Sequence, residues 1–151
     1  MQRSVRILIR SVQRPIIPEN EQESSWENPQ CQWMESETIG EYYEKGDSRY
    51  CLYEEQQEDW DQPARAVLKW KGHTMELQRK GIMAARMVFE PGKSYCHPYR
   101  TPYGEMLMEV ETRLLQIQED EESILLAAEY GLKLDGQTVS ENRVEIHIEY
   151  I

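Results

Sequence analysis

The chain has 151 residues, of which 28 are acidic and 17 basic, and its formal net charge is −11 at pH 7. This length predicts a single domain, residues 1–151, that buries roughly 70% of its unfolded surface. The negative charge disfavours duplex nucleic acid as a partner, because phosphate binding requires a basic face. No apolar run of about 18 residues occurs, and Arg6 and Arg10 interrupt the apolar opening, so we expect no membrane span, no leader and a cytoplasmic protein.

The negative charge is concentrated in one third of the chain. Residues 19–61 contain 14 acidic residues against only Lys45 and Arg49, a net charge of −12. This acidic flank is either a solvated surface or a docking face for a basic protein partner. Pro15 and Pro18 precede a polar run, so we predict a mobile acidic loop around residues 15–30.

Two β-hairpins are predicted after a first strand at residues 3–13, in which apolar and polar residues alternate. Residues 31–44 and 49–54 flank the turn at residues 45–48 and form the first hairpin. Residues 64–70 and 73–79 flank the turn Lys71-Gly72 and form the second. Residues 82–89 then form a further strand.

Two proline turns bracket residues 89–104, the densest group of aromatic and basic residues in the chain. Pro91-Gly92 suits the central positions of a type II turn. Pro98 and Pro102 lack backbone donors and favour extended geometry in the residues before them. No helix can run through this segment, which is either an edge strand or a shaped loop.

Residues 105–118 are ambiguous between helix and strand. Met106, Val110, Leu114 and Ile117 would share one helical face, which favours a helix. The acidic run at residues 119–122 ends that apolar pattern.

The C-terminal part predicts a hairpin more clearly. Apolar residues alternate over residues 124–134, Asp135-Gly136 is typical of a type I′ turn, and alternation resumes over residues 144–150. A meander of eight or more strands usually closes to remove its edges. The fold class predicted is therefore all-β, with one antiparallel up-and-down barrel of 8 to 10 strands.

The second half of the chain resembles the YwiB-like family of uncharacterised bacterial proteins. The resemblance rests on K-G-I-M-A-A-R-M-V-F-E-P-G-K, Y-R-T-P-Y-G-E-M-L-M-E-V-E-T and L-D-G-Q-T-V-S-E-N, and covers residues 70–148 best. It implies a lipocalin-like (calycin) barrel in which residues 105–118 form a strand. It implies no catalytic residues, only a recurring pattern of Phe89, Gly92, Tyr99, Pro102, Tyr103 and Gly104.

No motif in the chain predicts catalysis, a metal site or a cofactor. The phosphate-binding glycine loops, the dinucleotide fingerprint and the G-x-S-x-G elbow do not occur. His73, His97 and His147 lack metal-ligand spacing, and the three cysteines, Cys31, Cys51 and Cys96, include no C-x-x-C pair, so we expect idle thiols. Cys96 and His97 would point to opposite faces of a strand and cannot act as a dyad.

Two functions remain open from the sequence. The first is a non-catalytic barrel that binds a small, partly apolar molecule in its interior, where Ala85, Met87 and Ala128 would leave room. The candidate polar contacts to such a ligand are Arg79, Tyr99, Tyr103 and Tyr130. The alternative is a protein-interaction module that uses the acidic flank or a sheet edge, including pairing as a homodimer.

Overall fold

In the computed structural model, the described residues are 2–15, 26, 31–56 and 60–151. They form ten β-strands: β1 Gln2–Pro15, β2 Trp33–Lys45, β3 Ser48–Glu55, β4 Ala64–Lys71, β5 Thr74–Lys80, β6 Ala85–Phe89, β7 Ser94–Thr101, β8 Gly104–Glu119, β9 Ser123–Leu134 and β10 Gln137–Tyr150. The predicted mobile loop at residues 15–30 lies outside the described residues except at Pro15 and Trp26.

The ten strands form one antiparallel sheet in the order β6-β5-β4-β3-β2-β1-β10-β9-β8-β7. Every neighbouring pair is consecutive in the chain except β1 and β10, which pair along most of their length. The described residues contain no helix. The all-β, up-and-down barrel predicted from the sequence is confirmed, with ten strands in a nearly closed barrel.

The barrel is nearly closed because its two edge strands, β6 and β7, meet at one isolated bridge among the described residues. The Ala84 N–H donates to the Arg100 carbonyl at 3.0 Å, and the Arg100 N–H donates to the Ala84 carbonyl at 2.8 Å. We call this boundary the seam. The mouth is the end of the barrel at which β1, β3, β5, β7 and β9 terminate. The segment 89–104 is therefore an edge strand with its flanking turns.

Residues 105–118 belong to the strand β8. The resemblance to the YwiB-like family implied a strand there, whereas the spacing of apolar residues favoured a helix. The register of β8 against β9 shifts between Thr112 and Leu114. A β-bulge of this kind changes which alternate residues face inward. Met108, Val110 and Thr112 are buried before the bulge, and Leu115 and Ile117 pack against the core after it, which gives the stretch a mixed periodicity.

The predicted turns have the expected geometry. Asp135 and Gly136 have φ angles of 50° and 80°, as a type I′ turn requires. The Lys93 N–H donates to the Glu90 carbonyl at 3.0 Å across Pro91-Gly92. This turn is tied to β8, because the Gly92 N–H donates to the Thr112 carbonyl and the Thr112 N–H donates to the Lys93 carbonyl.

Large apolar side chains fill the barrel interior. The largest of these that are fully buried come from seven of the ten strands: Val5, Ile7, Leu68, Trp70, Met75, Phe89, Val110, Ile124, Leu126 and Ile148. At the end opposite the mouth, the Trp70 indole N–H donates to the Glu119 carboxylate at 2.8 Å. Open space beside the interior therefore has to be sought at the mouth and the seam.

Candidate functional site

A cavity of about 260 Å³ lies where β5 and β6 face β7 across the seam. We call it the seam pocket, and its lining consists of Gln78, Arg79, Lys80, Ala84, Ala85, Arg86, His97, Pro98 and Arg100. Neighbouring residues on a strand point to opposite faces of the sheet. Because consecutive residues contribute, the lining includes residues of both the inner and the outer face of the sheet.

Arg79 lines the inner side of this pocket. It shares its side of β5 with Met75 and Leu77, which belong to or pack on the core. Its Nε donates to Glu55 Oε1 at 3.1 Å, and the guanidinium forms no other hydrogen bond within the described residues. No fully buried side-chain nitrogen among the described residues lacks a partner, so the N–H groups on the two Nη atoms of Arg79 are reachable from solvent.

Arg79 remains charged although its side chain is only 31% exposed. Burial lowers the pKa of the guanidinium, but the Glu55 carboxylate and its hydrogen bond outweigh that effect, so the pKa is raised overall. Tyr53 and Tyr130 interact electrostatically with Arg79, and burial raises the pKa of both phenols, which stay protonated at neutral pH. The inner side of the pocket thus holds one cation beside neutral aromatic groups.

The outer rim of the pocket adds further positive charge. Arg86 Nε donates to Glu76 Oε1 at 2.7 Å and Arg100 Nε donates to Glu105 Oε2 at 3.0 Å. Lys80 forms no ion pair within the described residues. No aspartate or glutamate lines the pocket, but each of its three arginines is paired with a glutamate just outside the lining, so the unpaired positive charge comes from Lys80.

Backbone donors are also available along the seam. Alternate residues of an antiparallel strand turn their N–H and C=O groups to the same neighbour. Because Ala84 and Arg100 bond each other, the N–H groups of Arg86 and Val88 on β6 and of Cys96 on β7 also face the seam. Within the described residues these donors have no partner across it, and Pro98 has no N–H to offer.

The four residues predicted to contact a ligand do not form one cluster. Arg79 lines the pocket, and Tyr130 faces the interior near it, edge-on to the Phe89 ring at 5.0 Å. Tyr99 also faces inward and packs against the core. Tyr103 does not reach the interior, because it lies at the tip of the β7–β8 turn and is 97% exposed.

The three small or flexible residues predicted to leave room also separate. Ala85 borders the seam pocket, whereas Met87 and Ala128 are packed within the core. The sequence reasoning missed the basic rim. Its members are up to about 20 positions apart, and only closure of the barrel brings them together.

The cysteines and histidines form no reactive pair. All three cysteines are free, and burial raises the pKa of the Cys51 thiol to about 12. Cys96 is exposed while His97 turns toward the pocket, so the two lie on opposite faces as predicted. Within the part of the chain that the structure describes, no three His, Cys, Asp or Glu residues are grouped to hold a metal ion.

None of the residues that the structure describes forms a helix that is long and apolar enough to cross a bilayer.

The comparisons with known proteins support the fold but give no activity. No curated protein matches the chain. The crystal structure of the ywiB protein from Bacillus subtilis is similar, with a TM-score of 0.80 and 19% sequence identity over 99% of this chain and 93% of that chain. At this identity the likeness shows the fold alone. The model of the family described as "Domain of unknown function (DUF1934)" matches residues 19–146, so the chain belongs to that family of uncharacterised proteins.

Proposed function

We propose that the protein is a non-catalytic barrel that binds a small organic anion in the seam pocket. The observation that carries this proposal is the Arg79 guanidinium, which is charged, half-buried and bonded to protein only through Nε within the described residues. Arg79 lines a cavity without a carboxylate in its lining, and its Nη groups have no partner within the described residues. A carboxylate or phosphate oxygen would satisfy these donors by charge-assisted hydrogen bonds.

The location of the ligand differs from the one that the sequence suggested. A site deep in the barrel would compete with Trp70, Phe89 and Leu126, which already fill the space there. Close packing makes displacement of such side chains unfavourable. The seam pocket needs no displacement, because it is already open and lies at the weakest part of the wall.

The shape and chemistry of the pocket limit the ligand further. Ala84, Ala85 and Pro98 offer apolar surface next to the cations. At about 260 Å³ the cavity falls just below the range of roughly 300–1,000 Å³ typical of drug-sized ligands. We therefore expect a short aliphatic or aromatic group that carries one carboxylate or phosphate.

Two general features are consistent with this proposal. Small lipocalin-like barrels can hold one small ligand, although a shared fold does not fix function. The three free cysteines are consistent with a reducing compartment, and we propose that the protein acts in the cytoplasm.

Isothermal titration calorimetry with matched ligand pairs tests the proposal. Short carboxylates and phosphomonoesters would be compared with the amides and alcohols of the same carbon skeletons. We expect binding of the anions and at least about 10-fold weaker binding of the neutral analogues, since about 1.4 kcal/mol corresponds to each tenfold change. Equal affinity for both members of a pair would show that charge does not select the ligand.

Charge variants locate the site. The double variant Arg86→Gln/Arg100→Gln removes two rim charges, and Arg49→Gln/Arg113→Gln removes two paired surface charges elsewhere. We expect only the first to weaken anion binding. A second variant, Glu55→Gln/Arg79→Gln, neutralises the inner pair without leaving a buried charge unpaired. Unchanged affinity in this variant, with its fold intact by circular dichroism, would overturn the proposed role of Arg79.

A further inference from the structure

A second cavity lies on the outside of the barrel, over β2, β1, β10 and β9. Its volume is about 400 Å³, and we call it the outer groove; its lining consists of Leu8, Ile9, Arg10, Glu35, Ser36, Leu125, Glu145 and His147. Val5, Ile7, Ile124 and Leu126 face the core, so Leu8 and Leu125 point outward. The groove is therefore separate from the seam pocket and uses none of its residues.

The floor of the groove continues an apolar row on the outer wall. Val12 and Ala127 also face outward, yet they are only 2% and 1% exposed. Trp33 is the β2 neighbour of Val12, and its ring lies under the Arg10 guanidinium at 4.2 Å. The chain thus covers one end of this row with its own aromatic side chain and leaves Leu8 and Leu125 half-buried at the other end.

Trp26 extends the covered end of the row. Its indole N–H donates to Glu129 Oε1 at 3.2 Å, and the Trp33 indole N–H donates to the Trp26 carbonyl at 3.3 Å. The outer wall of the barrel therefore already binds aromatic side chains of its own chain, Trp26 and Trp33, beside charged groups.

Carboxylates outnumber cations around the groove. Arg10 contacts both Glu35, at 3.1 Å, and Glu145, at 3.2 Å. Four residues earlier on β1, Arg6 contacts both Glu37, at 3.1 Å, and Glu149, at 3.7 Å. Arg143 on β10 also contacts Glu145, at 2.9 Å, and Glu129. These three arginines thus meet five glutamates, which leaves an excess of two negative charges among them.

This negative surface is part of the acidic flank noted in the sequence. Glu35 and Glu37 belong to residues 19–61, which carry a net charge of −12. The described part of the flank therefore borders the apolar floor of the groove. Apolar surface at the centre with complementary charge at the rim is the usual composition of a protein interface.

We propose that the outer groove docks a basic segment of a partner protein. An apolar side chain of the partner sits between Leu8 and Leu125, and flanking lysine or arginine side chains reach Glu35 and Glu37, whose side chains are 67% and 57% exposed. The aliphatic stems of those basic residues can also cover the leucines while their charged ends stay in water. This inference does not depend on the seam pocket.

The test uses isotope-labelled full-length protein and a synthetic peptide with one central leucine flanked by two lysines on each side. A peptide with glutamine in place of lysine serves as the matched control. In two-dimensional NMR titrations we expect the lysine peptide to shift the amide signals of Leu8, Leu125, Glu145 and His147. We expect the glutamine peptide to bind at least about 5-fold more weakly, consistent with one or two screened ion pairs.

Variants separate the groove from general attraction to an acidic protein. Glu35→Gln/Glu37→Gln removes two exposed charges beside the groove, and Glu109→Gln/Glu111→Gln removes two from β8, where they pair with Lys133 and Arg113. We expect a several-fold loss of peptide affinity only in the groove variant. Leu8→Ser should weaken both peptides, because the leucine contact is common to them.

Three results would overturn the inference. They are the absence of binding by the lysine peptide, signal shifts confined to other surfaces, and equal losses in the groove and β8 variants. The last result would mean that net charge alone attracts the peptide. A negative outcome here leaves the proposed anion site untouched, because the two experiments share neither ligand nor residues.

Discussion

The two sides of the barrel are closed in different ways. On one side β1, β9 and β10 are 12 to 14 residues long, and each is bonded to two neighbours along most of its length. At the seam, β6 has only five residues and meets β7 at one bridge within the described residues. The continuous side is thus hydrogen-bonded throughout, whereas the seam is where the wall of the barrel is open. Binding sites are commonly drawn from the less stable part of a structure for this reason.

The sequence explains why the seam stays open. Pro98 lies in the middle of β7 and removes one of the donors that would face β6. The turn at residues 90–93 is bonded to β8, which draws this end of β7 toward that strand. The two edges are therefore bonded at the Ala84–Arg100 bridge near the mouth and joined by the turn at residues 90–93 at the other end, with no backbone bond between these points among the described residues.

The largest difference between the two sides should appear in amide hydrogen exchange. On β6, Ala85 and Met87 pair toward β5, whereas the N–H groups of Arg86 and Val88 face the seam. We expect the second pair to exchange at least about 100-fold faster, because no hydrogen bond has to open first. On β9, whose two neighbours are both bonded, protection should be uniform along the strand.

Exchange followed by NMR at neutral pH measures this directly. Equal protection of all four β6 amides would mean that the seam closes in solution. Tight binding of an anion in the seam pocket should slow the exchange of Arg86, which would connect the pattern to the proposed site.

The next largest effect is expected on the free energy of unfolding when glycines within two long strands are replaced by alanine. A Cβ at Gly40 would lie 2.5 Å from the Leu52 carbonyl oxygen and 2.7 Å from Ile7 Cδ1. The carbonyl is backbone and cannot move without shifting β3, so we expect Gly40→Ala to lower the free energy of unfolding by about 1–3 kcal/mol.

Gly131→Ala is the matched comparison. A Cβ at Gly131 would meet the side-chain ends of Arg113 and Glu141 at 3.0 and 3.3 Å, and these can move aside. Loss of glycine entropy in the unfolded chain offsets part of the cost, so we expect a change within about 0.5 kcal/mol. Urea denaturation of both variants decides the point, and equal destabilisation would contradict the backbone argument at Gly40.

The local signals in the sequence determine most of the architecture. Alternating runs and the turns at Lys71-Gly72 and Asp135-Gly136 act over a few residues, so they can be read without tertiary information. The bulge after Thr112 could not be predicted from the sequence. One extra residue in β8 changes which alternate residues face inward, and the resulting spacing of apolar residues resembles that of a helix. The resemblance to YwiB-like proteins was needed there.

The candidate site was much less predictable than the fold. Arg79 was among the predicted ligand contacts, but Arg86 and Arg100, which line the same pocket, come from strands that meet only when the barrel closes. Tyr103 was misplaced because a residue at a tight turn and a residue facing the interior have the same local sequence signals. The positions of the rim arginines and of Tyr103 both depend on closure of the barrel, which no residue pattern over about ten positions encodes.

The smallest expected effect concerns the pKa values of two carboxyl groups in turns, those of Asp120 and Glu90. In the β8–β9 turn, the Asp120 carboxylate accepts the Glu122 and Ser123 backbone N–H groups, each at 2.8 Å, and these bonds lower its pKa. In the turn before β7, a hydrogen bond from the Tyr95 hydroxyl lowers the pKa of Glu90, with a further contribution from Lys93. Because both pKa values are depressed by folding, both contributions to stability are complete above the unfolded pKa values of about 4 and are lost as the pH falls through the folded values.

Salt distinguishes the two turns. Lys93 is an exposed cation, so about 0.5 M salt should screen its contribution and raise the pKa of Glu90 toward the ordinary value. The backbone N–H groups that hold Asp120 are short-range, fixed donors, so the pKa of Asp120 should stay low. NMR titration of the two side-chain carboxyl carbons at low and high salt measures both shifts, with Lys93→Gln as a control that should abolish the salt effect at Glu90. If the two carboxyls responded equally to salt, the β8–β9 turn would owe its geometry to charge rather than to its backbone bonds, and the contrast between the continuous side and the seam would not extend to their turns.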